Sequence, residues 1–431
     1  MRVALWFLGL FGVAVALALF ASNNTGTITV FWPPHRVDLS LNMVVLLLGL
    51  LFVLMHLALK ALSALFALPA QARSWRLRHQ ERVMYAALLD ALSHFVAGRF
   101  LRARKAAQTL LSHEAALKQT GEDWPNAARL RVLANLLAAE SSQSLQDRQA
   151  RELYFQQAMT QADARHAGGI REGLLLRAVR WSLQDQEAHA ALQWLNQLPS
   201  GVARRTVALR LRLKVARMAG KNALALETAR LLAKHRAFSP DTAKGLLRSL
   251  AQEWLQNAFD LEQLVQVWQQ LEQYEQSLPE VACAAAGRCL RLGGTAELAF
   301  EWLLPVWERL LSVPEDFSQE QKIALVRVME NGFSSTEEAI DFHWLSRIER
   351  AQMLYPGDAV LQYLAGVACL HLQLWGKAHQ MLTLALPRLQ DAGLEARAWQ
   401  ILADLAQRQG DDAQASVAWR NAAQVRLRRK V

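Results

Sequence analysis

Cysteine is scarce: Cys283, Cys289 and Cys369 are the three thiols in 431 residues. An odd number with no two-residue spacing excludes a disulfide framework and a paired-thiol zinc or redox motif. Isolated thiols of this kind behave as small buried apolar side chains in helices. Proline is limited to 11 positions. Alternating Val/Ile/Thr runs of strand type are nearly absent beyond Thr27–Phe31. No G-x-G-x-x-G loop follows a strand, and the phosphate-loop, H-E-x-x-H and G-x-S-x-G patterns are missing. No cysteine precedes a proline, which removes the short Cys-Pro haem-sensing pair. The 11 histidines are scattered. His371 and His379, on neighbouring helices, pose a choice between a shared metal or porphyrin site and ordinary packing. Without a nucleophile, metal set or cofactor loop, the expectation is a protein that is not an enzyme and works through binding surfaces.

Ala, Leu, Gln and Arg dominate what is present, and 52% of the residues are hydrophobic. Straight-chain side chains lose little rotamer freedom in a helix, so this alphabet predicts an all-α chain. The length suits two or three domains. The net charge of +10 is concentrated in one place. From Lys60 to Lys105 there are nine Lys/Arg against two acids, Glu81 and Asp90. Arg426, Arg428, Arg429 and Lys430 close the chain, and the long middle is nearly balanced. That distribution lacks the broad basic face that tracks phosphates, so nucleic acid is not an expected partner.

No charge falls between Arg2 and Arg36, nor between Asp38 and Lys60. Each run is long enough for a hydrocarbon core of about 30 Å at about 1.5 Å per residue. Two spans joined by a short link predict a membrane hairpin, with Gly9, Gly12 and Gly49 available for close helix approach. In the link "FWPPH", Trp32 is an interfacial aromatic, and Pro33 and Pro34 stiffen the turn. Arg36 in the link is offset by Asp38, whereas Arg73, Arg76, Arg78 and Arg82 follow the second span with Trp75 among them. Lys and Arg stay on the cytoplasmic side of short flanks, so both termini are expected inside, with this cluster anchoring to anionic headgroups.

From about Leu88 a small-residue code recurs with the period of the tetratricopeptide (TPR) template, about 34 residues. In one unit Ala351, Pro356, Gly366, Trp375, Ala378 and Ala385 keep a single phase. The next holds Trp399, Leu402, Ala403, Gly410, Ala415, Trp419 and Ala422. Ala or Gly permits close helix crossing, and the large residue fills the hole one turn on. Weaker units include Gly98 with Ala103, Ala150 with Tyr154, Ala190 with Trp194, Gly220 with Ala225, and Gly287, Gly294 and Ala299 with Leu303. The stretch from Ser239 to Pro279 is helical but has no readable phase. The expected architecture is therefore all-α, an N-terminal two-helix transmembrane hairpin followed by a TPR-like α-solenoid. Its parts are a hairpin at 1–60 with spans at about 3–21 and 41–59, a basic juxtamembrane helix at 61–86, repeats at 87–425 and a basic tail at 426–431.

This order resembles the HemY family of proteobacterial inner-membrane proteins. The resemblance centres on "ARSWRLRHQERVMYAALLDALSHFVAGRFLRARKAAQTLL", with its Arg73-x-Trp75 pair and the Gly98-x-Phe100 turn before Ala103. It implies a non-enzymatic scaffold or regulatory factor in late haem (protoporphyrin/protohaem) biosynthesis, organising pathway enzymes at the cytoplasmic face of the bacterial inner membrane. Two alternatives stand beside it: a tetrapyrrole-binding carrier or sensor, with haem or porphyrin as bound ligand, and a general envelope-assembly factor unrelated to haem. A flavin oxidase that shares the family name is excluded by the missing dinucleotide loop.

Overall fold

A peptide that alternates β-branched and aromatic residues pairs readily, and here the link between the first two helices does so. The computed structural model describes residues 2–22, 25–119, 126–162, 168–335 and 342–428. In it Thr27–Trp32 (β1) and His35–Ser40 (β2) form an antiparallel hairpin with Val30 opposite Val37. Pro33 and Pro34 fall in its turn, where the missing N–H removes no ladder bond. The all-α expectation therefore fails at the link, although the rest of the described chain is nearly all helical. Arg36 is paired with Asp38 at 3.3 Å and lies 5.5 Å from the centre of the Phe31 ring.

The hairpin joins α1 (Arg2–Ser22) to α2 (Leu41–Val96). Ser40 caps α2 by accepting from the Met43 N–H, and the Asn42 side chain donates to the Ala21 carbonyl at 2.7 Å. Among the described residues one helical stretch, Leu41–Ser63, is long and apolar enough to cross a membrane, with a mean hydropathy of 2.5. The described apolar part of α1, Trp6–Ala16, is shorter. Among the described residues, then, one clear span is found where a pair was expected. The glycines expected to bring two spans together do not do so: a Cβ added at Gly9, Gly12 or Gly49 would meet nothing within 4 Å. The second difference is continuity. The expected boundaries at 60/61 and 86/87 both fall inside α2, a single helix of 56 residues.

In the first unit, residues 1–168, α2 is followed by α3 (Phe100–Gln119), α4 (Ala127–Ser144) and α5 (Arg148–Ala162). Ala91, Ala107 and Ala138, one from each of α2, α3 and α4, form a fully buried cluster. Met84 joins Leu110, Leu130 and Ala134 in a second cluster. Methyl groups at these crossings let the backbones approach closely, which is how the helix that carries the apolar stretch also becomes a repeat helix.

The second unit, residues 169–431, holds α6 (Gly168–Gln184), α7 (Ala188–Asn196), α8 (Ser200–Ala203), α9 (Thr206–Met218) and α10 (Asn222–Lys234). There follow α11 (Pro240–Gln256), α12 (Leu261–Gln270), α13 (Gln273–Gln276), α14 (Pro279–Arg291) and α15 (Ala296–Ser312). The chain ends with α16 (Gln319–Ser335), α17 (Phe342–Leu354), α18 (Ala359–His371), α19 (Trp375–Ala385), α20 (Ala392–Arg408) and α21 (Asp412–Arg428). The unphased stretch after Ser239 is α11 to α13, with Ser239 capping α11 and Pro240 at its first turn. The tail residues 429–431 lie outside the described residues.

One turn recurs between helices. Gly98, Gln146, Gln186, Gly220, Gly293, Gln373 and Gly410 all have a left-handed φ, between 58° and 78°. In each case the next N–H reaches back five residues, as in Asp147 to Ser142 O (2.9 Å), Lys221 to Ala216 O (2.9 Å) and Leu374 to Cys369 O (2.9 Å). That is the 6→1 bond of a Schellman ending, which satisfies the free carbonyls of the outgoing helix. The same device at successive helix ends gives the helix pairs their common shape.

The α18–α19 pair supplies a matched test. An added Cβ at Gly366 would lie 2.7 Å from Leu382 Cγ, so Gly366→Ala overpacks a buried crossing and costs about 1–3 kcal/mol. Gln373 is a non-glycine residue at φ 58°, so Gln373→Gly removes left-handed strain and stabilises by about 1 kcal/mol. Thermal unfolding of the detergent-solubilised protein is expected to shift in opposite directions for the two variants.

Candidate functional site

The basic segment lies wholly on α2. Trp75 is 63% exposed and stacks on His79 at 5.5 Å, and Arg76, Arg78 and Arg82 are exposed beside it. Trp75, Arg78, His79 and Arg82 share a face at i, i+3, i+4 and i+7. Arg73 is a residue of the same helix, and its side chain lies outside the described part. This face combines an aromatic ring with guanidinium groups, chemistry suited to the headgroup layer of a membrane.

A polar cluster that sequence reasoning missed joins α16, α18 and α20. The Tyr363 hydroxyl donates to Glu330 Oε2 at 2.8 Å, and Arg397 Nε donates to Glu330 Oε1 at 2.9 Å. Arg327 on α16 pairs with Asp391, the cap of α20, at 2.6 Å. Lys322 on α16 pairs with Asp358, the cap of α18, at 2.9 Å. Burial, reinforced by the Glu330 charge, holds the Tyr363 phenol well above its ordinary range. His371 packs on the Phe333 ring at 6.0 Å, and burial pushes its imidazole below the usual value. Both Glu330 oxygens are occupied and the phenol is fully buried, so this cluster locks three successive helix pairs. A carboxylate inside the apolar phase of "LVRVMENGF" was the available signal.

The expected signature residues fall as follows. Ala351, Gly366, Ala378, Ala385, Leu402, Ala403, Ala415 and Ala422 are buried. Trp375 is half-buried with the Arg408 guanidinium 4.7 Å from its ring centre, and Trp399 is half-buried. Trp419 is 39% exposed. Gly410 makes the left-handed turn, with φ 77°. Pro356 lines a cavity of about 640 Å3 with Tyr355, Asp358, Lys322 and Arg388. Trp399, Leu402, Ala406 and Val417 line an apolar groove of about 420 Å3, with His379 at its edge. His371 is not among the residues that line this groove. The three cysteines are buried, and burial pushes the Cys283 thiol up to about 12. Among the described residues no group of three His, Cys, Asp or Glu side chains is placed to hold a metal.

The Tyr363 shift has a sign. A phenol raised in the fold favours the neutral form, so its contribution is fully present below about pH 10, the ordinary tyrosine value, and falls as pH rises beyond that. Tyr363→Phe is expected to cost about 1–2 kcal/mol at neutral pH and to flatten the loss of stability above about pH 10, read by urea unfolding at stepped pH. Glu330→Ala, which strands a phenol and a guanidinium, is expected to cost more, about 3 kcal/mol.

Comparison with known proteins follows the geometry. No curated protein matches the sequence. A tetratricopeptide repeat protein from Parabacteroides merdae overlaps 68% of this chain and 93% of its own, at 11% identity and a TM-score of 0.26. The Naa15/Naa10 complex bound to HypK-THB gives a chain with 13% identity, 78% of this chain and 57% of that one, and a TM-score of 0.23. The APC/C hetero-tetramer Cut9-Hcn1 gives 13% identity, 79% and 66%, and a TM-score of 0.25. The match that identifies a family is local in sequence: residues 26–146 fit the family described as HemY protein N-terminus. That stretch runs from the β-hairpin through α2, its basic face and α3, to the left-handed Gln146 after α4. The chain therefore carries, over residues 26–146, a domain of the HemY N-terminus family.

Proposed function

We propose that this protein is a non-enzymatic, membrane-anchored scaffold that organises enzymes of late haem biosynthesis at the cytoplasmic face of the inner membrane. The observation that carries the reading is the continuity of α2. The helix that contains the apolar span also carries the basic face and the buried Met84 and Ala91. Repeat helices of the first unit are thereby held to the bilayer by one continuous helix, whose ladder omits the bond that Pro69 cannot donate. Met84 lies 21 residues past Ser63, a reach of about 31 Å. Tethering of this kind raises the local concentration of bound partners. The haem assignment rests on the match of residues 26–146 to the HemY N-terminus family and on the resemblance at the Arg73–Ala103 junction.

Two finer features belong to the same proposal. α1 serves as a second span, with both termini cytoplasmic, because the positive charge sits beyond α2's apolar stretch rather than in the β-hairpin. The basic face touches lipid, and this requires α2 to lean. Trp75 lies 12 residues past Ser63, which on an upright helix is about 18 Å, beyond a headgroup layer of about 5–8 Å. A leaning α2 lays the uncharged Ala61–Ala72 stretch along the interface and brings each guanidinium about 1 kcal/mol of attraction.

A second reading is favoured by the apolar groove with His379 at its edge: a tetrapyrrole carrier, with the imidazole as axial ligand. Titration of the protein with haem is then expected to give a Soret band that His379→Ala shifts. An unchanged spectrum removes this reading.

The scaffold reading is tested by the pigments of a strain lacking the protein. Late porphyrins are expected to accumulate, the full chain to restore the normal profile, and a chain lacking residues 2–72 to fail. A normal porphyrin profile in the deletion strain would sink the haem assignment and leave general envelope assembly as the better description.

A further inference from the structure

Although the chain is nearly balanced in charge beyond Lys105, one stretch is not. Between Glu187 and Glu227 there is no Asp or Glu, while Arg204, Arg205, Arg210, Arg212, Lys214, Arg217 and Lys221 contribute seven cations. Helix α9 sorts them by face. Leu209, Leu211, Leu213, Val215 and Ala216 are buried in the unit's core. Arg210, Lys214 and Arg217, at i, i+4 and i+7, are exposed along one ridge, and Lys221 is exposed just past the left-handed Gly220.

Most of this charge is uncompensated. Arg205 pairs with Glu172 at 3.2 Å. Arg210 donates to the Ala237 carbonyl at 2.9 Å and lies over the Phe238 ring, so its charge is held in place without being neutralised. Among the described residues, no carboxylate pairs with Lys214, Arg217 or Lys221. The adjoining α7 and α8 contribute no acid. Like charges one helical turn apart repel, and such a row weakens the isolated helix. On a helix whose other side is core, such a row is a surface complementary to an anionic one.

We propose that the ridge Arg210–Lys214–Arg217–Lys221 docks an acidic segment of a partner protein. The row is one residue wide, and on α9 the Cβ positions of Arg210, Lys214 and Arg217 stand about 5–6 Å apart, matching carboxylates at successive turns of a facing helix. A bilayer is the poorer match. Surface-lying helices bury an apolar face among acyl chains, whereas the apolar face of α9 is already spent inside the repeat. The exposed neighbour on the ridge, Val207, offers a single apolar contact. This docking goes beyond the haem reading and stands or falls independently of it.

The test uses the full chain in nanodiscs of phosphatidylcholine, with a fluorescent decaglutamate peptide followed by anisotropy. Binding that weakens with added salt is expected, and Lys214→Glu with Arg217→Glu is expected to lower affinity at least about tenfold. Lys105→Glu with Lys118→Glu on α3, the same change in net charge at exposed positions, is expected to stay within about twofold. Circular dichroism checks the fold, and the glutamine pair Lys214→Gln with Arg217→Gln repeats the test with a smaller perturbation. No binding, or equal loss in both glutamate pairs, overturns the proposal. So does displacement of the peptide by phosphatidylglycerol vesicles that depends on Lys214 and Arg217, which would make the ridge a lipid contact.

Discussion

Inside a hydrocarbon layer a peptide group finds no water, so a crossing chain must satisfy its own hydrogen bonds, and a helix does so residue by residue. In α2 the helix does not stop where the apolar side chains do, although Pro69 omits one bond of the ladder. It runs on through the arginines to Ala91, where methyl groups replace bulky side chains and α3 and α4 close in. The membrane's demand for a helix and the repeat's demand for a close crossing are met by the same segment. A stretch apolar enough to cross a membrane, surface charge and the first repeat contacts are consequently three properties of one helix.

What the rod begins, the turns continue. A helix that ends must satisfy its last carbonyls, and the left-handed ending does this in two residues while reversing the chain. In the second unit, ionic ties then run from the first helix of one pair to the first helices of the next two: Lys322 to Asp358, Arg327 to Asp391, and Tyr363 with Arg397 onto Glu330. Apolar packing supplies the bulk of the cohesion, and these charged ties set which helix stands next to which.

Much of this was readable from residue order because small residues at crossings and glycines at turns have local causes. Gly98, Gly220 and Gly410 announced their turns. Gln146, Gln186 and Gln373 adopt the same conformation with no glycine to mark it, because surrounding packing outweighs roughly 1 kcal/mol of strain. The stretch after Ser239 lost its phase since α12 has 10 residues and α13 is one turn held by the buried Glu275–Arg230 pair. Alternation at Thr27–Phe31 was visible, but its partner "HRVDLS" looks like a loop until the prolines fold it back. Glu330 and the α9 ridge were hidden for another reason: a carboxylate's partners lie 33 and 67 residues away in sequence, and a nearly neutral total conceals a local row of cations.

The continuation of α2 past Pro69 also constrains how such a protein can vary in length. Each residue inserted between Ser63 and Met84 would turn the following helices of the first unit by about 100° and push them about 1.5 Å outward. The connecting segment therefore acts as a phase setting as well as a spacer. Changes of seven or eleven residues nearly preserve the bearing of α3 and α4 toward the lipid, whereas a change of two would swing them to the opposite side of the rod.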